Sequence, residues 1–206
     1  MEKQTTRLEA FSDGIFGVAI TLLAIEIGIK EYQGADNANL WDKILEHWPE
    51  YFSYFNSFAT VLLIWMGHNK IFKQLKAANH WIILSNGLVL LFVVLFPFPT
   101  KTVGTFIGTN AEQTAVAFYT VFTGMITVTM LILNQCILSN KKLLQNPEKS
   151  IPWIRGMMKG QVIGIICYAL TTLIAFYFSR LALTLTFCMW VFWAVSTKDS
   201  DEDLAD

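Results

Sequence analysis

An apolar stretch near the start of the chain carries polar side chains that membrane spans ordinarily exclude. Residues 6–29 predict a membrane-spanning helix, yet Arg7, Ser12 and Asp13 lie within it. An ionised side chain at mid-bilayer costs roughly 2.5–3.5 kcal/mol, so Asp13 must face protein or water and needs a partner. Arg7 does not stand at the i, i+4 spacing from Asp13 that would pair them on one face. The partner must therefore come from another helix.

The second apolar helix supplies suitable donors in Trp65, His68 and Asn69. If the first two helices run antiparallel, these side chains reach the same membrane depth as Asp13, and indole and imidazole N–H groups both donate to carboxylates. The sequence predicts a buried network that holds the first helix in position, formed by Arg7, Phe11, Ser12, Asp13, Trp65, His68 and Asn69. The same pattern is compatible with a proton relay through Asp13 and His68, as in a secondary transporter.

Beyond Asp13 the first helix carries one continuous apolar stripe. Val18, Leu22 and Ile25 recur at i, i+4 and i+7, with Thr21 about a quarter-turn away. Taken without further context, such a stripe is most often an ordinary helix-packing surface. Glu26 is predicted to lie near the outer end of the helix, where it would attract cations or be solvated.

The composition excludes several classes of function. Of the 206 residues, 54% are hydrophobic and only 15% are charged, so lipid is the expected solvent. A net charge of -1 leaves no basic surface of the size that nucleic-acid binding needs. The chain contains neither a GxSxG nor an HExxH motif, so no enzyme and no cofactor is predicted. The three cysteines lie in apolar runs and predict small buried side chains.

The apolar runs predict an all-α membrane protein with six spans. Pro97 and Pro99 are expected to end the third span, and Gly156, Gly160 and Gly164 to let another helix approach the fifth. The last run is short for a bilayer, which needs about 20 residues, so it either spans with help from the polar residues at its ends or lies partly in the interface. The acidic tail 199–206 is expected to be disordered. The predicted spans are 6–29, 49–72, 81–98, 113–138, 153–178 and 181–196.

The distribution of lysine and arginine predicts the orientation. The side of the membrane that holds both termini carries most of the basic residues, whereas the other side holds only Lys30, Lys43, Lys101 and Arg180. Because cytoplasmic loops carry the excess of basic residues, both termini are predicted to be cytoplasmic in a multi-pass protein of the cell membrane.

The run from Arg7 to Asp13 resembles the R-x-x-x-F-S-D signature on the first helix of the transmembrane protein 175 family. Members of this family are potassium-permeable channels unlike the usual potassium channels. The Trp65-x-x-His68 pair on the second helix and the six spans also fit. The signature occurs once, which is similar to the prokaryotic form, in which one six-helix unit assembles as a homotetramer in the lipid bilayer.

The resemblance implies that the first helix lines a pore at the tetramer axis. The family's apolar constriction falls on Val18, Leu22 and Ile25, with Thr21 near the narrowest level, so potassium would pass along these four residues. Val18 is smaller than the Ile or Leu expected there. No TVGYG-like filter occurs, so an apolar ring would have to favour the more weakly hydrated potassium over sodium, with modest selectivity. The alternative is a proton-coupled cation transporter or proton-permeable channel that uses Asp13 and His68.

Overall fold

The computed structural model describes residues 5–25, 27 and 36–205, with side chains as far as residue 195. The regular elements of this part of the chain are helices, which confirms the predicted all-α fold. They are α1 (Thr6–Ile25), α2 (Leu40–Glu46), α3 (Trp48–Lys73), α4 (His80–Leu95), α5 (Pro97–Phe106), α6 (Glu112–Leu138), a 3₁₀ turn (Lys141–Leu143), α7 (Pro147–Ala175) and α8 (Ser179–Ala205).

Four helical stretches in the described residues are long and apolar enough to cross a membrane. They are α1, the nearly continuous α4 and α5, α6 and α7. The long helix α3 is not among these four, and the apolar part of α8, Ser179–Val195, is shorter. The chain is a multi-pass membrane protein, while its division into six spans and a tail stays a prediction.

Helix α6 lies at the centre of the bundle and packs against α4, α5, α7 and α8. Its buried side chains include Tyr119, Ile126 and Leu133. The first helix lies to one side, where it packs mainly against α3 and α4. Only one face of α1 is therefore covered by the rest of the chain, and this arrangement gives the helix two distinct surfaces.

The third span differs from its prediction. The sequence predicts that the helix ends at Pro97 and Pro99, but α4 ends at Leu95 and α5 begins at Pro97 and continues to Phe106. Proline at the first position of a helix sacrifices no hydrogen bond, because the N–H there has no intrahelical acceptor, and its fixed φ suits the helix. The prolines thus interrupt the helix and begin the next one.

The acidic tail also differs from its prediction, since α8 continues through it to Ala205. No glycine or proline follows Gly164 in the chain, so the sequence holds no strong helix breaker beyond Ser179. The unfavourable step in helix formation is nucleation, and the apolar part of α8 already provides it. Each further residue of the tail then adds one hydrogen bond for the entropy of fixing one residue.

The glycines of α7 serve packing within the chain. A Cβ at Gly164 would overlap the ring of Trp193 on α8, and a Cβ at Gly160 would lie 3.8 Å from the same ring. Gly156 has nothing within 4 Å of its Cβ position. The helix that approaches Gly160 and Gly164 is therefore α8 of the same chain, whereas no described residue lies against Gly156.

This packing predicts opposite effects for two similar substitutions. Gly164→Ala should lower the free energy of unfolding by roughly 1–3 kcal/mol, because the indole of Trp193 must shift. Gly156→Ala should leave stability unchanged or raise it by up to about 1 kcal/mol, since alanine has the higher helix propensity and meets no neighbour. Unfolding of the detergent-solubilised variants by sodium dodecyl sulfate measures both. Equal destabilisation would contradict the assigned packing of Trp193.

Candidate functional site

One face of α1 is buried against the rest of the chain. Ser12, Phe16, Ala19 and Leu23 recur at i, i+4, i+7 and i+11, and each is at most 1% exposed. This spacing places them on one side of a helix, where they meet α3 and α4. Apolar packing fixes most of this face, but Ser12 introduces a hydroxyl that must be satisfied inside the protein.

Ser12 belongs to a chain of buried hydrogen bonds that crosses three helices. The Ser12 hydroxyl donates to the Leu8 carbonyl at 2.8 Å and accepts from Asn86 Nδ2 on α4 at 3.0 Å. Asn86 Oδ1 lies 2.7 Å from His68 Nε2 on α3. Because serine has one hydroxyl hydrogen and gives it to Leu8, the Asn86 amide must donate to Ser12 and present its oxygen to His68. His68 therefore donates through Nε2.

The imidazole of His68 is fixed further by aromatic rings. It stacks on Phe72 with ring centroids 4.4 Å apart and lies 5.3 Å from the ring of Phe16, at a tilt. His68 is buried, so its ring has little freedom to rotate. The contact with Phe16 also links the hydrogen-bond chain to the apolar part of the buried face of α1.

Asp13 makes a separate contact. Its Oδ1 accepts a 2.8 Å hydrogen bond from Trp65 Nε1, in a position exposed on the surface of this chain. A hydrogen bond to an ionised acceptor is shorter and stronger than a neutral one. The contact between Asp13 and Trp65 thus joins α1 to α3. This contact and the bond of Ser12 to Asn86 both lie in the first half of α1.

The structure contains one contact of the predicted network and arranges its other members differently. Asp13 pairs with Trp65 as expected, and Ser12 and His68 are connected, but through Asn86. In the described part of the chain, no hydrogen bond joins Asp13 to His68 or brings Asn69 into the network. Asn86 was not predicted. Its signal was an amide within the strongly apolar run of residues 81–98, since a polar side chain inside a span faces protein and needs a partner.

Two further members of the predicted network lie on the opposite side of the helix. Arg7 and Phe11 are exposed, and no hydrogen bond or ion pair among the described residues ties them to Asp13. At about 100° per residue they share a line with the apolar stripe. We call this line the open stripe; it consists of Arg7, Phe11, Gly14, Val18, Leu22 and Ile25.

The open stripe is uncovered in the isolated chain. Its apolar side chains are 61%, 55%, 37% and 73% exposed at Phe11, Val18, Leu22 and Ile25, respectively. A Cβ at Gly14 would meet nothing within 4 Å. The contrast with the buried face shows that α1 is covered on one side only, and that the residues predicted as a constriction lie on the uncovered side.

Thr21 borders the open stripe. Its side chain is exposed, and its hydroxyl donates to the Val18 carbonyl at 2.8 Å. Since that bond uses the hydroxyl hydrogen, the lone pairs of the oxygen stay available to a cation or to water. Glu26, predicted at the outer end of the helix, lies outside the described residues.

The described residues contain no group of three or more His, Cys, Asp or Glu side chains placed to hold a metal ion. One face of α1 is fixed by hydrogen bonds, and the other presents apolar groups, one hydroxyl and one guanidinium.

The chain is similar to known channels in sequence. Residues 7–97 match the family model described as the endosomal/lysosomal potassium channel TMEM175. A potassium channel of Chamaesiphon minutus is 35% identical over 118 residues, which are 57% of this chain and 58% of that protein. The endosomal/lysosomal proton channel TMEM175 of Rattus norvegicus is 33% identical over 106 residues, which are 48% of this chain and 21% of the rat protein.

The fold is similar to a solved structure over nearly the whole chain. The crystal structure of a lysosomal potassium-selective channel TMEM175 homolog from Chamaesiphon minutus superposes with a TM-score of 0.84 at 26% identity. The match covers 95% of this chain and 99% of that one. The likeness therefore extends well beyond the region that carries the R-x-x-x-F-S-D signature.

The buried hydrogen bonds predict that Asn86 contributes more to the stability of the protein than Asn69. Asn86→Ala should lower the free energy of unfolding by roughly 1–3 kcal/mol, because His68 Nε2 is left buried without its acceptor, while Ser12 keeps its bond to the Leu8 carbonyl. Asn69→Ala is the matched control, because Asn69 is half-buried and takes no part in the hydrogen bonds among Ser12, Asn86 and His68. Unfolding in sodium dodecyl sulfate measures the difference. A larger loss of stability in Asn69→Ala than in Asn86→Ala would contradict the hydrogen bonds assigned to Asn86.

The contact between Asp13 and Trp65 predicts a measurable coupling. In a double-mutant cycle of Asp13→Asn and Trp65→Phe, the coupling energy should be about 0.5–1.5 kcal/mol, modest because the pair is exposed in the isolated chain. Trp81→Phe removes an exposed indole N–H of α4 and serves as the control partner for Asp13→Asn. Additive effects in the Asp13–Trp65 cycle would mean that this hydrogen bond does not hold α1.

Proposed function

We propose that the chain is a member of the TMEM175 family of ion channels, whose model residues 7–97 match, and that it is a potassium-selective cation channel whose pore runs along the open stripe of α1. The channel is a homotetramer in the cell membrane, with α1 of each chain at the axis. The exposed stripe on an otherwise anchored helix carries this proposal, since a single helix per chain encloses a pore only when several copies surround an axis.

The narrow part of this pore is an apolar ring. Val18, Leu22 and Ile25 form successive levels, and Leu22 is the least exposed of the three. An ion at this level loses water without receiving a protein ligand in return, so the barrier depends on how readily the ion sheds water. Potassium is more weakly hydrated than sodium and passes more easily. The preference is modest because no carbonyl filter replaces the lost water.

Thr21 adds a side-chain oxygen beside this ring. Its hydroxyl hydrogen is already bonded to the Val18 carbonyl, which leaves the oxygen lone pairs free to accept. Four such oxygens, one from each chain, offer partial replacement of the hydration shell. We therefore assign Thr21 to selectivity and the three apolar residues to the constriction.

The orientation follows from the basic residues at one end of the bundle. Lys70 and Lys73 lie in the last turn of α3, and Lys141 and Lys142 lie in the 3₁₀ turn after α6. With this end in the cytoplasm, both termini are cytoplasmic and α1 runs outward. Arg7 then lies at the cytoplasmic mouth of the pore.

Asp13 and His68 act in this proposal as positioning residues. Asp13 contacts Trp65, whereas His68 belongs to a separate series of hydrogen bonds with Asn86 and Ser12. The described hydrogen bonds therefore do not form a continuous path between Asp13 and His68. The rat relative is named a proton channel. A proton pathway through Asp13 and His68 is accordingly the second candidate, either in a proton-permeable channel or in a proton-coupled transporter.

Flux measurements distinguish these functions. In vesicles that contain the purified protein, potassium should move down its gradient faster than sodium, and an uncoupler that collapses the proton gradient should leave the rate unchanged. Asp13→Asn should reduce the amount of assembled protein more than it changes the flux per tetramer. A coupled transporter would instead require the proton gradient. Flux that stops with the proton gradient would contradict the channel.

Substitution of the ring predicts its role directly. Leu22→Ala and Leu22→Ser should raise potassium flux and weaken the preference over sodium, because both widen the ring and serine also binds water. A change of about 1 kcal/mol in the barrier alters the rate about fivefold. Thr21→Val should reduce selectivity without raising flux. Ion flux from reconstituted vesicles under matched potassium and sodium gradients measures all three.

The control for this experiment must be exposed but off the stripe. Ala19 and Leu23 are unsuitable, because both are buried and substitutions there would disturb packing. Ala24 is exposed and lies about 160° around the helix from Leu22. Ala24→Ser should leave the selectivity unchanged. A response at Ala24 as large as at Leu22 would mean that the pore does not follow the open stripe.

A further inference from the structure

A pocket with three basic side chains opens between α6 and α7, on the side of the chain away from α1. Its volume is 440 Å³, and it is lined by residues from the end of α6, from the 3₁₀ turn and from the third and fourth turns of α7. The basic residues are Lys141, Arg155 and Lys159. Helix α1 packs on α3, α4 and α5, so this pocket is separate from the open stripe.

The positive charge of the pocket is uncompensated in the described chain. None of the three basic side chains has an ion-pair partner there, and the only acidic residues of α6 and α7 are Glu112 and Glu148, neither of which lines the pocket. Arg155 and Lys159 stand at i, i+4, where like charges repel and destabilise a helix. An anion bound between them would remove this repulsion.

The remaining lining shows what kind of anion fits. Leu138 and Met158 supply apolar surface beside the basic groups, while Gln135 and Ser139 supply polar groups. Leu138 is the last residue of α6, a helix apolar enough to span a membrane, so the pocket lies where the hydrocarbon layer meets water. Phosphate and acyl chain meet at that same level in a phospholipid.

We propose that this pocket binds the phosphate of an anionic phospholipid, with the acyl chains lying along the apolar surface of α6 and α7. Arg155 is suited to hold two phosphate oxygens with its planar guanidinium, and the two lysines supply point charges. Basic pockets between transmembrane helices are a recognised way to hold such headgroups. Lipid binding at this pocket does not depend on where the pore runs, so its test is independent of the test of the proposed channel.

Native mass spectrometry of the detergent-purified protein tests this assignment. Dioleoyl phosphatidylglycerol should bind in preference to dioleoyl phosphatidylcholine. Replacing two basic residues in Arg155→Gln/Lys159→Gln should weaken phosphatidylglycerol binding about thirtyfold. The control Lys73→Gln/Lys76→Gln removes two exposed basic residues at the same end of the bundle, outside the pocket, and should weaken binding by less than about threefold. Lys141→Gln, in the turn, is a single change that leaves α7 intact and should weaken binding about fivefold.

Three results would overturn the proposal. The first is equal binding of the two lipids. The second is a loss in the control as large as the loss in the pocket variants, which would indicate nonspecific attraction to the basic end of the bundle. The third is complete displacement of phosphatidylglycerol by millimolar inorganic phosphate, which would assign the pocket to the free anion.

Discussion

A polar group placed on a membrane helix must be hydrogen-bonded inside the protein, and this requirement explains how α1 is held. Ser12 is satisfied through Asn86, and Asn86 in turn by His68, so one buried hydroxyl couples three helices. Asp13 adds a second connection through Trp65. Both connections are in the first half of α1, and Phe16, Ala19 and Leu23 continue the attachment by apolar packing. The helix is thereby fixed in rotation, because turning it would strand these groups without partners.

Fixing the rotation determines what the other face of α1 presents. Val18, Leu22 and Ile25 must point away from the bundle when Ser12 and Phe16 point into it, since the two sets lie on opposite sides of one helix. The hydrogen bonds therefore define the proposed pore lining without touching an ion. Loss of the Asn86 bonds should therefore change the position of α1, whereas a smaller side chain at Leu22 should change the passage of ions.

The sequence predicted the features that follow from local pattern. Hydropathy indicated the all-helical membrane fold, and the period of Val18, Leu22 and Ile25 indicated a common face. The pairing of Asp13 with Trp65 followed from matched depth on antiparallel helices. Asn86 could not be assigned from the sequence, because an amide in an apolar run does not identify its partners. The helical phase of Arg7 and Phe11 puts them on the open stripe and not in the predicted network. Proline in an apolar run predicts a helix end, whereas the position of Pro97 at the start of α5 depends on the geometry of the next turn.

The most direct test of the account asks whether the open stripes of separate chains face one another. In a chain whose Cys136, Cys167 and Cys188 are replaced by serine, Leu22→Cys should form disulfide-linked pairs of chains when membranes are oxidised, since copies of this position surround one narrow axis. Ala24→Cys, exposed on another side of α1, should form far fewer. Efficient cross-linking at position 24 with none at position 22 would contradict the proposed pore.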